Sequence, residues 1–555
     1  MTTPQSDPAK PVLTEAQWAR LKKYGTVQEV RAGTWLFRAG EESCDLIMVE
    51  SGGVQVLRPG AANLDDAVVA DYQAGQFTGE LNLITEQATY LDARASLPGV
   101  IYRIGPAAFR AMMSEDTELS DLVLQTLLAR RQNLRFGAAS HSVEILGSSV
   151  SAAALALRTY AARQQLPHVW TDIDTPEGRT LAEAFHAATA DLPIVVTSTA
   201  VLRRATPGEL AQNLGLSYQP VPGAVHDVVV IGGGPAGLAA AVYGASEGLK
   251  TLLLDSVAAG GQAAASSRIE NYLGFTSGIS GAELTARASV QAQKFGARIA
   301  SPCEVARLDP WSAGNIRIVL TGGVEIAARS VVIASGARYT SLPLDRWTDF
   351  EGAGIYYAAT EIEARACGPN PVVVVGGANS AGQAALYLAG RGSEVTLAVR
   401  GEDLGARMSS YLADRILAHP NIVVRTGTQV TALHGGEALE AVTLKGKNET
   451  GEFEVQQPCT GLFCFIGASP ATEWMSGIAV DDHGFILTDS RLDDATLTGP
   501  WEDLGRKPLP FETSQPRVFA AGDVRAGSMK RVAAAVGEGA SAISSVHSAL
   551  GVAAV

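Results

Sequence analysis

Apolar residues recur along the chain in two different rhythms. From about residue 10 to 140, short apolar runs such as Leu46–Val49 alternate with glycine turns, which predicts the strands of a small β-barrel or sandwich. The stretch Thr117–Leu134 has helical apolar spacing with basic residues late, as expected of a helix. From residue 226 onward, apolar strands alternate with helical stretches, which indicates parallel sheets.

A shorter segment of mixed character lies between these two parts. The predicted strands and helices are Val143–Leu146, Ala152–Gln164, His168–Asp172, Ile194–Thr197 and Pro207–Leu214. Thr206 is placed to cap the last helix, and the Pro/Gly-rich stretch Tyr218–Ala224 ends the segment.

Length, charge and cysteine content narrow the class of protein. The 555 residues correspond to three or four domains of about 150 residues each. The net charge of −14 argues against nucleic acid or an anionic membrane as a partner. No apolar run is long enough to span a bilayer, and the N-terminal residues do not form a signal peptide. Five scattered cysteines fit a reducing cytoplasm, and no metal site is predicted.

The first candidate site follows the buried strand Val228–Ile231. Gly232, Gly234 and Gly237 form G-x-G-x-x-G before a helix: the first permits a tight turn, the second lets a pyrophosphate approach, and the third lets the helix pack closely. Asp255 ends the next strand, 18 residues after Gly237, where a carboxylate accepts hydrogen bonds from a ribose. This segment predicts a dinucleotide site.

The segment from residue 371 to 400 repeats the pattern. Gly376 and Ala381 match its ends, and Ala378 replaces the middle glycine. Arg400 at the end of the following strand, helped by Arg407, suits a 2′-phosphate, so NADPH is favoured and NADH is the alternative. Two dinucleotide sites in one chain predict a flavin enzyme that a nicotinamide reduces.

Seven motifs occur in a recognisable order. They are GGGPAGLAAAVY (232–243), GGQ (260–262), IENYLGF (269–275), ASGA (334–337), VVGGANSA (374–381), LFCFIGASP (462–470) and VFAAGDVRAGSMKRVAAAVGEGA (518–540). With this order and spacing, residues 226–555 resemble the low-molecular-weight thioredoxin reductase family. The resemblance implies two Rossmann-like domains, FAD on the first glycine turn, NADPH on the second, and a homodimer.

The resemblance also assigns site residues. Its implied FAD contacts are Gly232, Gly234, Pro235, Ala236, Gly237, Asp255, Gly261, Gln262, Asn271, Ala334, Gly336, Gly522, Asp523, Lys530, Arg531 and Val532. The expected NADPH contacts are Gly376, Ala378, Asn379, Ser380, Ala381, Arg400 and Arg407. Asp523 would bind the ribityl chain, and a helix starting near Lys530–Ala533 would point its N-terminus at the flavin.

One departure from the family concerns its chemistry. Where the family carries a redox C-A-T-C, this chain has Ala358-Ala359-Thr360-Glu361, and no C-x-x-C occurs in the sequence. Disulfide exchange requires a thiolate, so the internal relay of the family is absent. Thr360, Glu361 and Cys367 remain as catalytic candidates. Glu361 could relay protons or serve as an acid at a helix start, and Cys367 could be a redox thiol, although a buried structural thiol is favoured.

The N-terminal part carries AGTWLFRAGEESCDLIMVESGGVQVL (32–57) and AGQFTGELNLITEQATYLDARA (74–95), and it resembles cyclic-nucleotide-binding domains. Gly79 and Glu80 match effector-binding positions, Glu80 being the ribose ligand. Thr89 stands where the family has its phosphate-binding arginine, so cyclic nucleotide binding in the usual mode is not expected. A packing role and a different ligand both stay open.

Residues 143–218 resemble a thioredoxin- or glutaredoxin-like fold. The motif is DLPIVVTSTAVLRRATPGELAQNLGL (191–216), in which Leu192-Pro193 corresponds to a cis-proline loop. The segment GSSVS (147–151) stands where active members carry cysteine, so only a docking or structural role is expected.

The expected architecture is a multidomain α/β chain. The predicted domains are 1–140 (cyclic-nucleotide-binding-like), 141–222 (thioredoxin-like), 223–342 (first FAD part), 343–457 (NADPH) and 458–555 (second FAD part). We expect a cytoplasmic NADPH-oxidising flavoprotein whose electrons pass to an unidentified acceptor, such as a small redox protein. The alternatives are a flavin-based sensor with little turnover and a ferredoxin or flavodoxin reductase, which needs a basic patch. The candidates for that patch are Arg130, Arg131, Arg135, Arg203 and Arg204.

Overall fold

The computed structural model describes residues 7–41, 44–59, 66–85, 88–136, 141–266, 269–312, 314–448, 451–497 and 499–551. The chain forms two compact units. The first comprises Met1–Ser148, Tyr160–Gln219 and Gln293–Pro302, and the second comprises Ser149–Thr159, Pro220–Ala292 and Cys303–Val555. Within the described ranges, no helix has the length and apolarity needed to cross a membrane.

The N-terminal part of the first unit contains two four-stranded antiparallel sheets. Its strands are β1 (Thr26–Val30), β2 (Trp35–Phe37), β3 (Leu46–Val49), β4 (Gly53–Arg58), β5 (Ala67–Gln73), β6 (Phe77–Thr78), β7 (Asp92–Leu97) and β8 (Gly99–Ile104). Its helices are α1 (Glu15–Lys22), α2 (Asn82–Thr85), α3 (Pro106–Glu115) and α4 (Thr117–Phe136). The sheet orders are β1-β8-β3-β6 and β2-β7-β4-β5. The apolar strand β3 is fully buried, as its sequence predicts.

The segment that follows forms a four-stranded mixed sheet. Its elements are β9 (Val143–Gly147), α5 (Ala152–Arg163), β10 (His168–Asp172), α6 (Pro176–Ala184), β11 (Ile194–Thr197), β12 (Val201–Arg203) and α7 (Pro207–Asn213). The strand order is β10-β9-β11-β12, with only β9 and β10 parallel. Leu192-Pro193 is cis and precedes β11. Thr206 caps α7 by accepting a hydrogen bond from the Glu209 amide at 3.2 Å, as predicted.

The remaining elements are numbered in chain order. The strands are β13 (Val225–Ile231), β14 (Thr251–Leu254), β15 (Arg298–Ala300), β16 (Val305–Ser312), β17 (Asn315–Leu320), β18 (Glu325–Ile333), β19 (Ala337–Tyr339), β20 (Ile355–Tyr356), β21 (Val372–Val375), β22 (Val395–Ala398), β23 (Ile422–Arg425), β24 (Thr428–Gly435), β25 (Leu439–Asn448), β26 (Gly451–Pro458), β27 (Gly461–Cys464), β28 (Ala468–Pro470) and β29 (Val518–Ala520). The helices are α8 (Pro235–Ser246), α9 (Gly281–Lys294), α10 (Trp347–Phe350), α11 (Glu361–Cys367), α12 (Asn379–Gly390), α13 (Ser410–Leu417), α14 (Pro500–Leu504) and α15 (Val532–Leu550).

Two large sheets organise the second unit. One contains β14-β13-β18-β17-β16 in that order, and β29 lies parallel to β18. The other is entirely parallel, with the order β20-β27-β21-β22-β23. A three-stranded antiparallel sheet, β24-β25-β26, follows β23 along the chain. Strand β21 and the second part of β13, Val228–Ile231, are apolar and almost completely buried, as is typical of parallel strands whose two faces are both covered.

The second border predicted for the NADPH-binding domain separates two strands that are neighbours in one sheet. The expected border lies between residues 457 and 458, but β27 is the direct neighbour of β21 in the second sheet. The chain returns to the first sheet region only afterwards, where β28 pairs with β19. Sequence reasoning assigned β27 to the FAD part because its motif runs without a break into that of β28.

Candidate dinucleotide-binding sites

The first glycine turn joins β13 to α8. Gly232 has φ +107°, and a Cβ there would overlap the carbonyl oxygen of Ala334 on the neighbouring chain segment. A Cβ at Gly237 would overlap the carbonyl oxygen of Gly232. Both glycines are therefore required by the packing of strand, turn and helix, as the G-x-G-x-x-G pattern predicts.

Gly234 differs from these two because its surroundings are open. It is the N-cap of α8 with φ −72°, and the nearest atom to a Cβ there would be the Gly261 Cα at 3.9 Å. Gly261 has φ +53°, and its own Cβ would lie 2.8 Å from the Gly234 Cα. Two glycines thus border a space at a helix N-terminus, where free amides and the helix dipole favour an anion. These residues fit the pyrophosphate of a dinucleotide.

Asp255 follows β14 and lies next to this turn. Its Oδ2 accepts a hydrogen bond from the Gly233 amide at 2.7 Å, and its Oδ1 accepts one from the Val257 amide at 2.9 Å. Each carboxylate oxygen has a second lone pair available for a ribose hydroxyl. The carboxylate therefore also shapes the glycine turn, a role that the sequence pattern does not show.

The other predicted FAD residues have varied surroundings. Pro235 and Ala236 open α8, and Ala334 is buried after β18. The Gln262 side-chain amide donates to the carbonyl of Ala337, and the carbonyl of Gly336 accepts from the Ala471 amide at 3.0 Å. Asn271 is exposed. Contact of these residues with FAD remains a prediction.

The predicted G-D pair, Gly522-Asp523, follows β29, and Gly522 lies against α8. Gly522 has φ +78°, and a Cβ there would lie 2.9 Å from the Ala236 Cβ. Burial raises the pKa of Asp523, with Lys530 opposing the shift and Glu538 adding to it. Helix α15 begins at Val532 with Arg531 as its N-cap, which confirms the predicted helix start.

Two acids that sequence reasoning missed, the buried Glu512 and the partly buried Glu538, hold this region. Glu538 on α15 accepts from the Gly522 amide at 2.7 Å and pairs with Arg525 at 2.8 Å. Glu512 is completely buried and pairs with Arg506 at 2.6 Å. Glu512 also accepts from the Arg517 amide at 2.8 Å, one residue before β29. The sequence gives no signal of these pairings, because the fold brings the partners of both acids together.

The second glycine turn joins β21 to α12. Gly376 has φ +146°, and a Cβ there would lie 2.5 Å from the Phe465 carbonyl oxygen. Ala378, which replaces the middle glycine, is the exposed N-cap of α12 with φ −111°, a conformation that alanine adopts without strain. Asn379 accepts from the Ser409 amide at 2.8 Å, Ser380 is exposed, and Ala381 is buried. This turn also leaves a helix N-terminus open to an anion.

Arg400 and Arg407 follow β22, which ends at Ala398, two residues before the first arginine. Both side chains are exposed, and within the described part of the chain neither forms an ion pair. Their position beyond the strand end suits an additional phosphate on the nucleotide ribose.

Thr360 and Glu361, two of the predicted catalytic candidates, lie at the start of α11. Thr360 is the N-cap: its hydroxyl oxygen accepts from the Ile362 amide at 3.3 Å and its hydroxyl donates to the buried Glu363. Glu361 is bound by Arg365 at 2.9 Å and by Arg391 at 2.5 Å. Partial burial raises the pKa of Glu361, but the two arginines and the Tyr387 hydroxyl lower it by more, so the net pKa is below its usual value. Glu361 is thus held by side chains, and the acid that accepts a backbone amide at this helix start is Glu363, from Thr360 at 2.9 Å.

All five cysteines are buried, and three thiols of the second unit have raised pKa values. Burial raises the pKa of Cys367, Cys459 and Cys464 to about 12, and neighbouring Cys459 adds to the shift at the other two. Cys367 ends α11 with 1% of its surface exposed. A neutral thiol inside the protein does not attack a disulfide, which favours the structural reading of Cys367.

In the first unit, Gly79 and Glu80 precede α2. Glu80 is paired with Arg131 of α4 through two hydrogen bonds, one of them 2.6 Å long. Arg130 and Arg131 are 7% and 2% exposed. The basic patch considered for an acidic ferredoxin is therefore wrong at these two positions, because both guanidinium groups are internal.

Comparisons with known proteins agree with this geometry. Residues 226–539 match the pyridine nucleotide-disulphide oxidoreductase model, and residues 27–116 match the cyclic nucleotide-binding domain model. A thioredoxin reductase of Treponema pallidum (strain Nichols) is 34% identical over 320 residues, covering 57% of this chain and 94% of that protein. The chain belongs to the pyridine nucleotide-disulphide oxidoreductase family. It is an FAD-dependent NAD(P)H oxidoreductase, and its cofactors are FAD and NADPH.

Further members of the family show the same extent of similarity. The thioredoxin reductase of Streptomyces clavuligerus is 32% identical over 321 residues, covering 57% of this chain and 92% of that enzyme. The crystal structure of T. acidophilum thioredoxin reductase matches with a TM-score of 0.51 and 29% identity, covering 58% of this chain and 98% of that one. The matches extend over the second half of the chain, so this pyridine nucleotide-disulphide oxidoreductase carries more than 200 additional N-terminal residues.

Proposed function

We propose that the chain oxidises NADPH at a bound flavin and delivers the electrons to an acceptor outside the chain, without an internal dithiol. When bound, FAD supplies the group that takes up a hydride and passes on its electrons. The reaction balances as NADPH, a proton and an oxidised two-electron acceptor giving NADP⁺ and the reduced acceptor.

The observation that carries this proposal is the start of α11. The chain has Thr360 and Glu361 where the family carries the second half of C-A-T-C, and both side chains are engaged in capping and ion pairing. No C-x-x-C occurs in the sequence, and all five cysteines are buried. Electrons that reach the flavin region therefore have no C-x-x-C disulfide of this chain to reduce.

The division of labour among the residues follows from their positions. The first glycine turn, with Gly234 and Gly261 at its open side, would hold the FAD pyrophosphate. Asp255 would orient the ribose, and the N-terminus of α15 would face the flavin with its positive dipole end. The second turn would hold NADPH, with Arg400 and Arg407 on the 2′-phosphate.

The N-terminal half belongs to the same proposal. The strand order β10-β9-β11-β12 supports a thioredoxin-like fold for residues 141–222, which without cysteines serves as a docking or structural module. A cytoplasmic homodimer is proposed from the resemblance to thioredoxin reductases. Burial of Arg130 and Arg131 disfavours the ferredoxin reductase alternative.

Steady-state turnover tests the proposal. The purified chain is mixed with NADPH and, separately, with ferricyanide, menadione, oxygen, a small aromatic disulfide and oxidised thioredoxin, and NADPH loss is followed. We expect multiple turnovers with at least one of the non-thioredoxin acceptors and none with thioredoxin. Flavin reduction without turnover on any acceptor would indicate the sensor, and rapid thioredoxin reduction would contradict the proposal.

A further inference from the structure

A cavity of about 130 Å³ lies between the strands of the N-terminal barrel and α4. Most of its wall is apolar. The apolar side chains that line it include Phe37, Cys44, Val56, Tyr72, Leu91 and Leu134. Burial raises the pKa of the Cys44 thiol to about 12, so this group is neutral as well.

The size of the cavity sets the size of a ligand. Sites for drug-sized molecules have volumes of roughly 300–1,000 Å³, well above the volume observed here. By contrast, an apolar cavity of about 150 Å³ engineered in another protein stays dry and binds benzene. A molecule with about six to eight heavy atoms matches this cavity, and a cyclic nucleotide exceeds it.

The acid that would bind a ribose is occupied within the chain. Both Glu80 oxygens accept from Arg131, whose side chain is 3% exposed, and the Nη2–Oε2 distance is 2.6 Å. Burial lowers the pKa of Arg131, but the neighbouring Glu80 carboxylate raises it, and the net pKa is raised, so the guanidinium stays charged. Freeing Glu80 for a ligand would leave a buried guanidinium without its partner, which is costly.

A cyclic phosphate also lacks a buried cationic partner: Lys10 lines the cavity, but its side chain is exposed, with Nζ 5.9 Å from the Tyr72 ring centroid. Thr89, at the position of the family's phosphate-binding arginine, donates to the Arg38 carbonyl at 2.6 Å. Arg130 lines the cavity, but it donates to the backbone carbonyls of Ala9, Gly79 and Phe77 at 2.8, 3.0 and 2.7 Å. An anion in the buried part of this cavity would lose its hydration without gaining a charge-assisted hydrogen bond from a buried cation.

We propose that this barrel cavity is a binding site for an uncharged, mainly apolar molecule of about benzene size, and that it does not take a cyclic nucleotide. Glu80 is engaged by Arg131, and Arg130 is engaged by three backbone carbonyls, so these buried charged groups are not available to a ligand. The apolar wall of the cavity remains available. This site is separate from both dinucleotide sites and does not rest on the proposed oxidoreductase function.

Fluorine NMR on the full-length protein with fluorobenzene as the probe tests the proposal. Two variants fill the cavity from cross-strand partners on β4 and β5, Val56→Phe and Ala70→Leu. The matched control is Val27→Phe on β1, where the side chain is 63% exposed and does not line the cavity. Far-UV circular dichroism establishes that each variant is folded.

We expect fluorobenzene to bind the wild type and Val27→Phe equally, and to bind each filled variant at least about tenfold more weakly. Cyclic AMP at equal concentration should not displace the probe. The proposal is overturned if the wild type does not bind fluorobenzene, if neither folded filled variant weakens binding, or if cyclic AMP competes for the cavity.

Discussion

At the scale of single residues, the glycines of the first turn have two distinct physical roles. Gly232 is required by the protein itself, since a Cβ would overlap the Ala334 carbonyl oxygen. The protein itself does not require a glycine at position 234. A Cβ there would lie 3.9 Å from its nearest neighbour, the Gly261 Cα, and a φ of −72° suits any residue. The absence of a side chain at Gly234 is therefore explained by what approaches the helix N-terminus from outside.

This distinction predicts that Gly234→Val leaves the fold intact and abolishes FAD binding. The side chain would enter the space needed by the pyrophosphate, and its Cβ would lie no closer than 3.9 Å to the nearest atom of the protein, the Gly261 Cα. The measurement is flavin absorbance per polypeptide after saturation with FAD, together with circular dichroism. Gly390→Val at the end of α12, where a Cβ also meets no neighbour, is the control and should retain its flavin. Full flavin content in Gly234→Val would contradict the assignment.

The two exposed arginines after β22 give a prediction about nucleotide choice. Replacing both Arg400 and Arg407 by alanine should raise the KM for NADPH by about tenfold or more, because charge-assisted hydrogen bonds to the 2′-phosphate are lost. The kcat/KM for NADH should stay nearly constant. Arg415→Ala on α13 serves as the control. An equal loss with both nucleotides would show that the arginines do not recognise the 2′-phosphate.

The thiols give a prediction about reactivity. A pKa raised to about 12 leaves Cys367, Cys459 and Cys464 protonated at pH 8, with only about one part in ten thousand as thiolate. Iodoacetamide should therefore label these cysteines in the native protein at least a hundredfold more slowly than in denatured protein, as followed by mass spectrometry. Fast labelling of Cys367 in the native state would contradict its structural role and indicate a reactive redox thiol.

At the scale of elements, the barrel is held to α4 by a buried ion pair and by backbone contacts. Arg131 pairs with Glu80, and Arg130 reaches three backbone carbonyls. A buried charge whose partner is removed is strongly destabilising, whereas an exposed one contributes little. The two arginines therefore stabilise the closed barrel rather than present a surface.

Arg131→Ala should destabilise the barrel by about 3 kcal/mol, since Glu80 is left partly buried without its partner. Native-state hydrogen exchange of strands β3 and β7 in the full chain measures this loss. Arg31→Ala, which removes an exposed arginine, should change the opening free energy by less than about 0.5 kcal/mol. Equal exchange rates in the two variants would refute the structural role of the pair.

The elements show which features the sequence is able to predict. Strand β3 and the Thr206 cap follow from local pattern, because apolar runs and capping residues act on their immediate neighbours. Burial of Arg130 and Arg131, and the place of β27 in the second sheet, depend on segments distant in sequence. The glycine turns of both dinucleotide sites were predictable, whereas Glu512 and Glu538 were not, since their partners are set by the fold.

At the scale of the whole molecule, the second unit combines two sheets, each with a strand, a glycine turn and a helix N-terminus. The first turn suits FAD and the second suits NADPH, in a family whose thioredoxin reductases cover this half of the chain. The start of α11 carries capping and ion-pairing side chains in place of a dithiol. Under the proposed function, the chain stores electrons at the flavin alone.

Anaerobic reductive titration of the purified holoprotein with dithionite tests this most directly. The account predicts that flavin absorbance is fully lost after about one two-electron equivalent per FAD, because no disulfide of the chain takes a second pair. NADPH should produce the same bleaching in a stopped-flow experiment. Consumption of two equivalents per FAD, or flavin that NADPH leaves oxidised, would contradict the account.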